Sequence, residues 1–308
     1  MTDARPKPRG RALAALIVAA LILGIAAVAV ARGLRSTDGI RSFLDTYPGT
    51  ATLPEWAPSG FPAWLSWQHF LSAFLLLFVV RSGLLVRGKQ RPPAFWTRDP
   101  ARFPRTSRTP RRLSLHAWWH LVVDTLWLAN GLVYVVLLVA SGRWVRIVPT
   151  SWDVIPNAAS AALQYVSLDW PTESSWTAYN ALQLLSYFAT VFVAAPLAVL
   201  TGLRLSPFWI ARPWAERRFP ERRARQLHWA VTVYFIAFTT THVFLVLTTG
   251  ARRNLNYMYA GRNDDTAFGV AVFLLSLVVT VVAAVVFRPP TQAAIAERTG
   301  RVRRMPPV

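Results

Sequence analysis

The sequence predicts an all-α integral membrane helical bundle with six transmembrane helices, and three observations carry that prediction. Six apolar runs of about twenty residues recur along a chain of 308 residues that is 54% hydrophobic, each long enough for a hydrocarbon core of about 30 Å. Basic residues crowd into alternate connecting segments. Trp and Tyr mark the ends of the runs, as in Trp64, Trp67, Trp144, Trp176, Tyr179 and Trp229, where amphipathic rings anchor at the headgroups. Without water to satisfy the backbone, spans this apolar must be helical.

The first run, 12–31, follows the basic stretch RPKPRGR and ends in AVAVA, so Ala29 and Ala31 resemble a signal-peptide cleavage site. Its hydrophobic stretch is longer than usual for a cleaved signal, and it reads as a retained anchor. The second and third runs are 64–86 and 117–140. Between them, 87–115 is rich in Pro and Arg without helical periodicity, and is expected to run irregularly along the membrane surface. Segment 141–179 mixes aromatic residues with turn formers; a short interfacial helix is expected around 157–166, as a docking surface or an ordered cap. The remaining spans are 180–203, 227–249 and 267–287. The expected organisation is 1–62 as tail, first span and outer segment, 63–250 as a four-helix core, and 251–308 as the last span with its flanks.

Charge orients this bundle. Of 34 Lys and Arg residues, 25 lie before the first span, in 87–115, in 204–226 and after 287, against eight in the other connecting segments. Arg81 lies within a span. This positive-inside pattern puts both termini in the cytoplasm. The net charge of +20 is therefore a membrane signature, suited to anionic headgroups, and no nucleic-acid role is expected. The absence of cysteine excludes disulfides, thiolate-held iron–sulfur clusters and covalent c-type haem within this chain.

All five histidines, His69, His116, His120, His228 and His242, fall in or at the ends of spans. Intramembrane ionisable groups are functional candidates by default. His228 and His242 are fourteen residues apart, which leaves them about 40° from alignment on one helix face and roughly 21 Å apart along its axis. Depth then proposes an outer pair, His69 with His242, and an inner pair, His228 with His116 or His120. Two facing imidazoles are what a six-coordinate b-type haem requires; two such pairs stack two haems across one membrane.

Other residues fit less specifically. Gly83, Gly131 and Gly202 offer a flat macrocycle access to the backbone or simply favour helix packing. Arg81 is a candidate partner for a haem propionate or a snorkelling cation. Asp124 shares a face with His116 and His120, suited to a metal ion or to a hydrogen bond with a ligand imidazole or Arg81.

Several short motifs carry a family resemblance: HF at His69, SG at Ser82–Gly83, YNALQ at Tyr179–Gln183, TG at Thr201–Gly202 and the pair His228–His242. Over roughly 60–287 the chain resembles the di-haem b-type cytochrome subunits of formate dehydrogenases and nickel–iron hydrogenases. It looks closer still to the cytochrome b/b6-domain membrane subunits of molybdopterin-dependent oxidoreductases, sometimes labelled thiosulfate reductase cytochrome b. The resemblance implies a four-helix core with two haem b groups, here the second to fifth spans, which leaves one extra helix at each end of the chain's six. It implies axial pairs His69–His242 and His120–His228, with His116 as the fallback for His120. It also implies menaquinone beside His242, Asn180 and Gln183, and a molybdopterin-dependent oxidoreductase or iron–sulfur subunit as partner in a bacterial cytoplasmic membrane. The extra first span departs from the formate dehydrogenase pattern and inverts the core. Two other classes are weighed against this reading: a proton-coupled transporter using the histidines and Asp124, and a haem-free membrane anchor.

Overall fold

A computed structural model describes residues 8–88, 91–102, 110–170 and 174–306. The basic residues before position 8, and parts of 87–115 and 141–179, lie outside the described residues. The chain is an all-α integral membrane bundle: among the described residues six helices are long and apolar enough to span a bilayer, Gly10–Arg35, Ala63–Arg87, Leu115–Ala140, Ala181–Leu205, Glu221–Thr248 and Phe268–Val286. Most of their large apolar side chains face outward, as expected where lipid rather than water is the solvent. The fifth span begins six residues earlier than the apolar run. Its first turn is polar, capped by Pro220 and braced by the Arg225–Glu221 ion pair, so the helix continues past the point where hydropathy stops.

The chain divides into two compact units, Met1–Ala57 with Val145–Phe188, and Pro58–Trp144 with Ala189–Val308. In the first unit, the first span ends in a polar clasp. Arg32 Nε donates to the Ser167 carbonyl at 3.0 Å, and Arg35 reaches Ser167 Oγ at 2.6 Å and Asp169 at 2.5 Å. The expected interfacial helix is present over Val154–Val166. Its buried face, Val154 and Ala158, packs with Ala51, Ala181 and Leu184, while the Gly49 N–H donates to Asn157 Oδ1 at 2.9 Å. Gly49 sits at φ +97°, where a Cβ would be strained and would also meet the Gln164 amide.

In the second unit the second and third spans pack along their length, and the fourth span, from Ala189 onward, packs on the fifth. The fourth span widens into a π-type turn over Ala189–Ala194, just before Pro196. Proline lacks the N–H that the α ladder needs there, and the wider turn absorbs the missing bond.

Segment 87–115 departs from expectation. It contains β1 (Ala94–Arg98) and β2 (Arg112–Ser114), and β1 also pairs antiparallel with β3 (Gly300–Arg304), giving the order β2-β1-β3. Its inner face sends Ala94 and Trp96 against Leu115, Trp118 and Trp119 at the start of the third span and against Ala293 and Ala296. Trp96 Nε1 donates to the Ala296 carbonyl at 3.1 Å. Gly300 is required here: a Cβ would overlap the Thr97 carbonyl and the Trp96 ring.

Candidate functional site

The second unit gathers four of the five histidines into two ring pairs. His69, near the start of the second span, lies with its ring centroid 6.1 Å from that of His242 on the fifth, the planes 57° apart. His120, on the second turn of the third span, lies 6.4 Å from His228, the planes 84° apart. Fourteen residues on one helix put these levels roughly 21 Å apart along its axis. His116 is half-buried and makes no ring contact with another histidine among the described residues.

The two levels are separated by an apolar layer. Leu76, Trp127 and Phe235 each lie seven residues, two turns, from a histidine on their own helix, and they pack with Ala194 and Val231. Trp127 meets Phe235 edge-on at 5.7 Å. Nothing in this layer carries a charge.

Polar contacts hold the His120–His228 pair. His120 Nδ1 is 2.9 Å from Ser82 Oγ on the second span, and His228 Nδ1 is 2.9 Å from Thr201 Oγ1 on the fourth. The glycine after each hydroxyl faces the same ring, Gly83 against His120 and Gly202 against His228. Asp124 Oδ2 lies 3.4 Å from His120 Nε2, longer than a good charge-assisted hydrogen bond.

Aromatic contacts dominate at His69–His242. Phe238, one turn before His242, stacks on it at 5.7 Å with planes 6° apart, and Tyr234 stacks on Phe238. The Tyr259 ring stands edge-on to His69 at 5.8 Å. Burial pushes the Tyr259 phenol above its ordinary value, against a weaker opposing pull from a Ser276 hydrogen bond, so it stays protonated. His69 Nδ1 is buried with no hydrogen-bond partner among the described residues.

The remaining sequence candidates have identifiable contacts. Arg81 Nη1 donates to the Ala284 carbonyl at 3.4 Å. Asn180 and Gln183, in the first unit, form a reciprocal capping box at the start of the fourth span. The Gln183 N–H donates to Asn180 Oδ1 at 2.9 Å, and the Asn180 N–H donates to Gln183 Oε1 at 3.1 Å. Asn180 Nδ2 further donates to the Tyr165 hydroxyl at 2.9 Å. Around Gly131, a Cβ would meet nothing within 4 Å. Among the described residues no cluster of three or more His, Asp or Glu is arranged to hold a metal ion, so His116, His120 and Asp124 do not form one. Sequence reasoning missed the hydroxyls of Ser82 and Thr201 and the ring of Tyr259. The SG and TG dipeptides carried the signal, but only their glycines were given a role.

The residues present fit an axially ligated macrocycle. With a metal–nitrogen bond of about 2 Å on each side and about 1 Å from each nitrogen to its ring centre, two imidazoles that held one iron would have their ring centres about 6 Å apart. Both observed separations match that span.

Over 206 residues, 60% of this chain and 88% of the relative, the sequence is 26% identical to the putative protein-methionine-sulfoxide reductase subunit YedZ1 of Azospira oryzae. No family model matches the chain, and no solved structure does.

Proposed function

We propose that this chain is a membrane-bound b-type cytochrome that carries electrons between a quinone and a partner oxidoreductase through two bis-histidine haems. The observation that carries the reading is the pair of imidazole separations, 6.1 and 6.4 Å, at two levels of one transmembrane core. His69 and His242 would hold one haem, His120 and His228 the other. When bound, each haem supplies reversible one-electron chemistry.

The chain's own contribution is placement and insulation. The second to fifth spans set the four imidazoles, and the apolar layer around Phe235 fills the space between the levels, with Asp124 beside His120 on the side of that layer. Arg81, the cation within a span, is the proposed partner of a propionate. The family resemblance supports menaquinone as one redox partner and a molybdopterin-dependent enzyme as the other. The Azospira relative is named as a reductase subunit, which supports a function exercised with a partner. The basic segments support cytoplasmic termini.

Purified protein expressed with haem supply and subjected to a reductive titration with a quinol tests this reading. Quinol-reducible haem supports it. Stoichiometric haem that no quinol reduces removes the quinone half, and a folded chain without haem removes the whole and leaves a proton relay through His120 and Asp124 as the role of the buried histidines.

A further inference from the structure

Both histidines of the His120–His228 pair meet a hydroxyl whose own hydrogen is already engaged. Ser82 Oγ lies 2.7 Å from the Phe78 carbonyl and 3.1 Å from that of Val79. Thr201 Oγ1 repeats the arrangement, 2.7 Å from the Leu197 carbonyl and 3.1 Å from that of Ala198. A hydroxyl has one hydrogen to donate and a carbonyl can only accept. Each hydroxyl hydrogen is therefore held by its own helix, the usual back-bond of a helical Ser or Thr. The imidazole Nδ1 at 2.9 Å must then be the donor in both contacts.

A neutral imidazole carries a single ring N–H. With that hydrogen on Nδ1, the lone pair of each ring is on Nε2. Ser82 and Thr201 are buried, at 2% and 0% exposure, so bulk water does not compete for the contact. The following glycines leave room for the rings. A Cβ at Gly83 would come within 3.2 Å of His120 Cε1, and one at Gly202 within 3.5 Å of His228 Cε1. Two hydroxyl–glycine dipeptides, on different helices, thus present the same contact to the two members of one pair.

We infer that Ser82 and Thr201 are positioning residues: they lock His120 and His228 in the tautomer whose Nε2 is free for a metal, and so tune the potential of the haem that this pair holds. The inference rests on the haem reading above and assigns that site residues outside the ligand set. An Nδ1–H that donates a hydrogen bond makes its imidazole a stronger electron donor through Nε2. Stronger donation favours the ferric state, so removing the hydroxyl raises the midpoint potential.

The test is a potentiometric titration of wild type, S82A, T201A and the conservative S82T and T201S, with haem quantified per chain. Each Ala variant is expected to raise the midpoint potential of one and the same haem, or to lose that haem, while the other keeps its wild-type value. S82T and T201S should stay close to wild type. Unchanged potentials and full haem content in both Ala variants overturn the inference. So do equal changes at both haems, which a general packing defect would give. A second readout needs no haem: nitrogen-15 spectra of haem-free, histidine-labelled wild type should report protonated Nδ1 at His120 and His228, and protonated Nε2 there overturns the inference. If wild type takes up no haem, the functional reading fails, and the nitrogen spectra still decide the tautomer.

Discussion

The two histidine pairs have nearly the same ring separation and are held by different means. His120 and His228 are each fixed by a hydrogen bond to a hydroxyl on a neighbouring helix, with a glycine beside each ring. His242 stacks on Phe238, and His69 has the edge of Tyr259 beside it and a buried Nδ1 with no hydrogen-bond partner among the described residues. The hydrogen bonds at Nδ1 fix the tautomers of His120 and His228, whereas the buried Nδ1 of His69 has no such contact among the described residues. Nearly equal ring spacing is thus reached through unlike contacts, hydroxyl hydrogen bonds in one pair and aromatic packing in the other.

The largest expected effect would break the comparison outright. His69→Ala and His242→Ala should each remove the same haem, taking the count from two per chain to one. His120→Ala and His228→Ala should each remove the other, and His116→Ala neither. Haem quantified with the split of the reduced absorption band checks this; loss of both haems from one substitution would show that the pairs are not separate sites.

Substitution of the glycines sharpens the comparison within one pair. Gly83→Ala forces a contact tighter than nine in ten real Cβ contacts, whereas Gly202→Ala makes an ordinary van der Waals contact. Gly83→Ala should therefore shift or deplete the His120–His228 haem severalfold more than Gly202→Ala. Equal effects would mean that both rings yield alike.

Two smaller changes lie outside both pairs. Asn180→Ala removes the capping oxygen and the Tyr165 contact and should lower stability by about 1 kcal/mol with both haem spectra intact, read by thermal unfolding. Asp264 is smaller still. Hydrogen bonds from Thr266 and then Arg262 hold its carboxyl below the ordinary 3.8. A lowered folded-state value stabilises the fold above the ordinary carboxylate range and is lost as pH falls through the lowered value. Asp264→Asn should remove that acid sensitivity from the loop around Asn256, whose amide also contacts Asp264. Hydrogen exchange in the loop as a function of pH would show it.

The spans were legible because each depends only on its own twenty residues. The fifth-span spacing was legible for the same reason: fourteen residues on one helix fix the face of His228 and His242. Contacts that join distant helices were less so. Ser82 is 38 residues from His120 and Thr201 is 27 from His228, and no local periodicity reports which hydroxyl meets which ring. The pairing of β1 with β3 joins residues about two hundred positions apart, so 87–115 read as irregular when only its own residues were considered. Asn180 and Gln183 are the opposite case. Their i, i+3 spacing is a local capping signal, legible from four consecutive residues.

The most direct test of the central claim is a dithionite-reduced minus air-oxidised absorption spectrum of the purified chain, with haem quantified per polypeptide. The account predicts b-type bands and two haems per chain. A folded chain, expressed with haem supply, that shows no haem bands would contradict it.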